Sequence, residues 1–136
     1  MKNTLFIFLV SYNLACFSQA EVQHPIDSLR EACLSIDSNQ TTSGMCACEI
    51  YTQEKWELEL NIVYKKVMKI LPAEDKTLLQ QSQRDWLSHR EKELKFIRER
   101  YYKMDGSMWK FISARYITEI TRNRVLEIGN YLFLGE

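Results

Sequence analysis

Apolar residues recur at steps of four and three along most of this chain. Between residues 44 and 71, Trp56, Leu60, Val63, Val67 and Ile70 form a heptad-like seam, widened by Tyr64 and Leu71, with Glu57 and Asn61 beside it. That period predicts one long helix, opened by a cap among Thr41, Thr42 and Ser43. Pro72 ends it and can open the next, because at a first helical position its missing N–H is no loss. Glu74 and Asp75 then suit the positive end of the helix dipole. The second helix, over residues 72–103, places Leu79, Gln83, Trp86, Arg90, Leu94, Ile97 and Tyr101 on its inner face. At residues 104–107, Met-Asp-Gly-Ser sets a glycine beside a capping residue, so the chain turns and Ser107 caps the next helix. That third helix, over 108–131, buries Trp109, Ile112, Tyr116, Ile120, Val125 and Ile128, with Thr121 and Arg124 on an adjoining face. Before the first long helix, residues 26–36 form a short one capped by Asp27 or Ser28, and residues 37–43 a polar loop.

Nothing between residues 44 and 131 reads as a strand. Long helices joined by short turns run antiparallel, so the fold expected is all-α. It is an up-down-up bundle of three long helices with a short N-terminal helix. The chain has 136 residues, enough for one domain with a single core.

The N-terminus changes the compartment. Lys2, an apolar run over residues 5–10 and small residues at Ser18 and Ala20 read as a signal peptide over residues 1–20, which leaves a single helical domain over 21–136. The apolar run is interrupted by Ser11, Tyr12 and Asn13 and is too short to span a bilayer. A lipoprotein signal acylated at Cys16 is the alternative, with Asn13 a poor residue at its place in such a signal. Either route exports the chain, most simply to the periplasm, where cysteines pair. Cys33, Cys46 and Cys48 are the candidates. Cys46 and Cys48 point in different directions from one helix, so only one of them can readily meet Cys33.

Charge excludes some partners. Without residues 1–20 the chain has 17 basic and 18 acidic residues, a net charge of −1, and no basic field to attract nucleic acid. Enzyme motifs are missing: there is no Gly-x-Ser-x-Gly, no His-Glu-x-x-His and no phosphate-cradling glycine loop. His24 reads as part of a tail and His89 as charged surface. Cys46, Cys48 and one distant histidine are too sparse for a metal site. The chain reads as a non-enzyme without a cofactor.

One stripe mixes rings with polar groups. Gln83, Trp86 and Arg90 stack on one helical face, and a guanidinium between helices must be paired. The structural reading takes Arg90 across to Glu57 or Asn61, with Tyr64, Gln83, Thr121 and Arg124 adding hydrogen bonds, so that the network sets helix register. The functional reading makes the same residues a binding or catalytic cluster. A face turned between helices is poorly placed to meet a macromolecule, which favours the structural reading.

Several of these residues also fall into a pattern. Met45-x-x-Cys48, Leu60-Asn61-x-x-Tyr64, Gln83-x-x-Trp86-x-x-x-Arg90-Glu91, Gly106-Ser107 and Glu119-Ile120-Thr121-x-x-Arg124 stand in the order and spacing of the LprI-like lysozyme-inhibitor family, which residues 33–128 resemble. The resemblance implies a small exported helical domain whose namesake activity is inhibition of lysozyme. It also implies a disulfide, since the family's first cysteine pair maps onto Cys33 and Cys48. Closing that loop is worth on the order of 3 kcal/mol in the chain-entropy model. The second family pair falls at Leu94 and Tyr116, where an apolar contact replaces the cross-link.

If the chain inhibits a lysozyme, loops rather than the stripe should enter the enzyme's cleft, with Lys103, Asp105 and Ser107 in the last turn and residues 37–43 and 71–76 as further candidates. The competing class is an exported interaction module, immunity-like or acting in envelope stress. It would bind another exported protein through Tyr102, Met104, Met108 and Phe111.

Overall fold

The computed structural model describes residues 23–135, and within them every element is helical. Residues 1–20, expected to be a signal peptide, and with them Cys16, lie outside the described residues. In chain order come α1 (Pro25–Leu34), a 3-10 turn at Asp37–Asn39, α2 (Thr42–Ile70), α3 (Ala73–Tyr102), α4 (Met108–Asn130) and a closing 3-10 turn at Tyr131–Gly135. Among the described residues no helix is long and apolar enough to cross a membrane.

α2 and α4 form the central pair and run parallel. The Thr118 hydroxyl donates to the Glu49 carbonyl at 3.2 Å near one end, and Gly129 lies against Val63 near the other. α3 runs antiparallel to both, bringing Arg90 to Glu57 and Gln83 to Arg124. α1 is also antiparallel to α2, from His24 beside Trp56 to Cys33 bonded to Cys48. Although only Leu71 and Pro72 separate them in sequence, the backbones of α2 and α3 scarcely come within 8 Å of each other. Long side chains span the space between them.

The core is aliphatic around one indole: Ile26, Trp56, Leu60, Val63, Val67, Leu71, Leu79, Val125 and Ile128. The α2 seam holds except at its end, where Ile70 is exposed. On α4 the buried face is turned from the one expected. Ser113, Thr118, Thr121, Arg124, Val125 and Ile128 are buried, whereas Tyr116 is 51% exposed and Trp109, Ile112 and Ile120 are half-buried. Small hydroxyl side chains let α4 approach α2 closely, which a row of rings would prevent. Each hydroxyl needs a partner once buried, and Thr118 finds two, in Glu49 and its own helix at Ala114.

Helix starts are set locally. Thr41 caps α2, its hydroxyl accepting from the Gly44 N–H at 3.1 Å. α1 begins before Asp27 and Ser28. His24 is its cap, with Nδ1 accepting from the Ile26 N–H at 3.2 Å, and Asp27 is buried inside the first turn. His24 is therefore no tail residue: its ring lies 4.5 Å from that of Trp56. Ser107 stands at the N-cap of α4 but makes no capping bond. Its hydroxyl instead lies 3.2 Å from that of Thr42, and Gly106 before it supplies the positive φ of 101° that the turn needs.

Gly44 is the tightest point. A Cβ there would stand 2.6 Å from Asn39 Cα and 2.8 Å from its carbonyl oxygen, so the Asp37–Asn39 turn rests directly on the first turn of α2. Alanine is worth up to about 1 kcal/mol over glycine in a helix. Gly44→Ala should nonetheless lower stability, because backbone cannot swing aside as a side chain can. Urea denaturation checks this, and a midpoint equal to or above that of the parent would contradict it.

Candidate functional site

The polar stripe condenses on one carboxylate oxygen. Glu57 Oε1 accepts from Arg90 Nη1 at 2.7 Å, from Gln53 Nε2 at 2.8 Å and from the Thr121 hydroxyl at 3.4 Å. Gln53 also donates to Thr121 at 2.9 Å, so α2, α3 and α4 meet in one hydrogen-bonded knot. One helical turn along, Arg124 is buried. It donates through Nε to Gln83 Oε1 at 2.9 Å, through Nη2 to the Ser82 hydroxyl at 3.1 Å and through Nη1 to Glu127 at 2.8 Å. Both guanidiniums lie within 6 Å of the Trp86 ring, Arg90 at 4.9 Å and Arg124 at 5.6 Å.

Two residues expected in this knot stand outside it. The Asn61 amide donates to the Glu57 carbonyl on its own helix at 2.9 Å and does not meet Arg90. The Tyr64 ring packs against the core, and its hydroxyl has no hydrogen-bond partner among the described residues. The cause is the wide spacing of α2 and α3, which only the longest side chains cross. Gln53 was not anticipated, because a glutamine beside an aromatic seam looks like solvated surface.

A second cluster, not anticipated from the pattern, joins α1, α2 and α4. Arg122 holds Asp27 through Nε at 2.8 and 3.0 Å and through Nη2 at 2.8 Å. Arg30 Nε meets Glu49 at 2.9 Å, its Nη1 meets Glu119 at 3.1 Å, and Glu119 lies 3.8 Å from Arg122. Glu49 is 0% exposed. Beside the cluster a cleft of about 370 Å³ opens between α1 and α4, with Gln23, Glu31 and Arg115 at its rim. Asp27 with Arg30, and Glu119 with Arg122, are charge pairs three residues apart. Such spacing ordinarily marks solvated helix surface, and it hid a buried network here.

The end of the bundle that carries the disulfide is braced on several sides. Cys33 and Cys48 are joined, Asn39 donates to the Cys33 carbonyl at 2.9 Å, and Thr42 ties this loop to Ser107. Residues 37–43 and 103–107 thus form one composite surface with Lys103 and Asp105 exposed, while residues 71–76 lie at the far end. Cys46 is free and half-buried. Burial pushes its thiol above the ordinary range, and the Glu49 carboxylate adds to this while Lys110 opposes it. Among the described residues no group of His, Cys, Asp and Glu is placed to hold a metal ion.

A family model described as lysozyme inhibitor LprI matches residues 33–128, from the first disulfide cysteine to the last turn of α4. The chain belongs to the lysozyme inhibitor LprI family. No curated protein matches it. Among solved structures, the crystal structure of an uncharacterized protein from Burkholderia thailandensis is similar, with a TM-score of 0.75 and 29% identity over 79% of this chain. The present chain covers 53% of that one, about half its length.

Positions 94 and 116, where the resemblance implies a second cysteine pair, hold Leu94 and Tyr116. Leu94 is half-buried, and the Tyr116 ring, 51% exposed, pairs with Tyr101 at 5.7 Å. Tyr101 in turn pairs with Trp109 at 5.8 Å, so three rings pack in a row between α3 and α4.

The two clusters differ in wetness, and stability should reflect it. Arg30→Ala strands the fully buried Glu49 carboxylate and should cost roughly 3–5 kcal/mol. Arg90→Ala should cost only about 1–2 kcal/mol, because Glu57 is 37% exposed and keeps Gln53 and Thr121. Guanidinium chloride denaturation of both variants gives the comparison, and equal losses would refute the ranking. Cys46, with its raised pKa, should react with iodoacetamide more slowly than an unhindered cysteine at mildly alkaline pH. Mass spectrometry of the alkylated protein measures the rate, and a fast-reacting Cys46 would contradict the expectation.

Proposed function

We propose that this chain is exported to the periplasm and inhibits a lysozyme by occupying its substrate cleft, with no chemistry of its own. Membership of the lysozyme inhibitor LprI family carries the reading. The Cys33–Cys48 bond supports export, since such bonds persist in oxidising compartments. Acylation at Cys16 is the alternative mode of export.

The contact surface we assign is the disulfide end, with Lys103, Asp105 and Ser107 beside residues 37–43. Binding loses least when the surface is already in its bound shape. This end is held by a covalent bond, by the Asn39 hydrogen bond, by the close seat of Gly44 and by the Thr42–Ser107 contact. A glycosidase cleft carries two carboxyl groups. The Lys103 ammonium suits these, while Asp105 and the Ser107 hydroxyl suit donors on the cleft walls. At the same end Tyr102 is 70% exposed and Met108 is half exposed, which adds apolar area to the contact. That apolar patch also supports the second reading, an exported module for some other protein partner.

A turbidity assay on bacterial cell walls separates the two. The purified protein should slow a chicken-type or a goose-type lysozyme. Exchanging the charges in a Lys103→Glu, Asp105→Lys double variant should weaken inhibition roughly tenfold, as a loss of about 1.4 kcal/mol would, with the melting temperature unchanged. If neither lysozyme is slowed, the interaction-module reading takes its place.

A further inference from the structure

The space between α2 and α3 is divided by the Glu57–Arg90 bridge. On the side toward the Pro72 turn lies a hollow of about 400 Å³ with the buried Leu60 at its base and the exposed Leu87 at its edge. Its walls carry Asn61, Tyr64, Gln80, Gln83 and Arg84, with the bridged Glu57 at one end. Asn61, Tyr64 and Gln83 belong to the motifs that mark the family resemblance, yet only part of their hydrogen-bonding capacity holds the fold. Asn61 donates to its own helix and Gln83 accepts from Arg124. Asn61 Oδ1, the Tyr64 hydroxyl, Gln83 Nε2 and the head groups of Gln80 and Arg84 have no partner among the described residues. Polar groups gathered over an apolar floor, in a volume within the usual range of small-molecule sites of roughly 300–1,000 Å³, make a binding hollow rather than a structural knot.

The geometry points to a short saccharide as the ligand, and we propose that the α2–α3 hollow is a sugar-binding site. A sugar ring presents hydroxyls that both donate and accept, and side-chain amides and a phenol do the same. Its C–H face is apolar and suits Leu60, Leu87 and the Tyr64 ring. Other classes fit less well. An extended peptide binds by adding to a sheet edge, and the described residues hold no strand. An amphipathic partner helix needs a mainly apolar groove, and three amides line this one. Nucleic acid needs a basic track, and Arg84 is a single cation. The proposal is independent of the lysozyme reading, which places its contact at the far end of the bundle.

The test is a titration of the ¹⁵N-labelled protein with three neutral trisaccharides, of N-acetylglucosamine, glucose and mannose, monitored by amide shifts, with trialanine as control. At least one sugar should move amides of residues 57–64 and 80–87 in a saturable way. Tyr64→Phe, which keeps the ring, and Asn61→Ala, on the exposed side of α2, should each weaken that binding by roughly five- to tenfold while leaving the melting temperature unchanged. The proposal is overturned if none of the sugars shifts these amides, if both variants bind like the parent, or if trialanine produces the same shifts.

Discussion

A carboxylate without access to water must be paired or the fold gives it up, and Glu49 is such a carboxylate. Its cation, Arg30, comes from α1, the shortest α-helix and the one least able to form alone. What brings the two together is the disulfide. Arg30 lies one turn before Cys33 on α1, and Glu49 directly follows Cys48 on α2, so the covalent bond and the ion pair brace the same stretch. With the thiols joined, the guanidinium is already close to its partner, and much of the entropy that would oppose pairing has been removed from the unfolded chain. Once α1 is seated, Asp27 reaches Arg122 and His24 covers Trp56. A small helix thereby closes one side of the core.

The second polar knot has a different task. Glu57 retains substantial exposure, and the groups around it reach across helices whose backbones stand apart. A bridge in that setting adds modestly to stability, but it fixes how far α3 is displaced along α2 and α4, since only one register brings Arg90 to Glu57 and Gln83 to Arg124 together. The same wide spacing leaves open hollows between α2 and α3, and a register fixed by long polar side chains keeps them open.

The helices were legible because their periods and punctuation agree. Thr41, Pro72 and Gly106 mark boundaries to within a residue or two, and the α2 seam from Trp56 to Val67 is buried as its spacing requires. The pairing of Arg90 with Glu57 was within reach for the same reason. What the pattern hid were faces chosen by something other than apolar size. On α4 the bulky residues Tyr116 and Trp109 looked like core, while the contact with α2 used Thr118 and Thr121, whose value is smallness and a satisfied hydroxyl. The α1 cluster was hidden because charge pairs three residues apart look the same whether a helix faces water or a partner. His24 was obscured by its position next to a proline, which suggested a loose segment and was instead the cap of α1.

The boundary of the family match is not the boundary of the folding unit. Residues 33–128 contain Glu49, Glu119 and Arg122, but Asp27 and Arg30, which neutralise them, lie before that span. Cut at Cys33, the chain would keep its disulfide and lose the only cation paired with Glu49 among the described residues, together with the ring that shields Trp56. The carboxylate would then be buried without its cation, and the resulting strain would loosen the contact between α2 and α4 where Thr118 meets the Glu49 carbonyl. That contact lies next to Cys48, at the end of the bundle whose rigidity the proposed encounter with a lysozyme requires. The helix outside the family pattern is thus part of what holds the proposed binding end in shape.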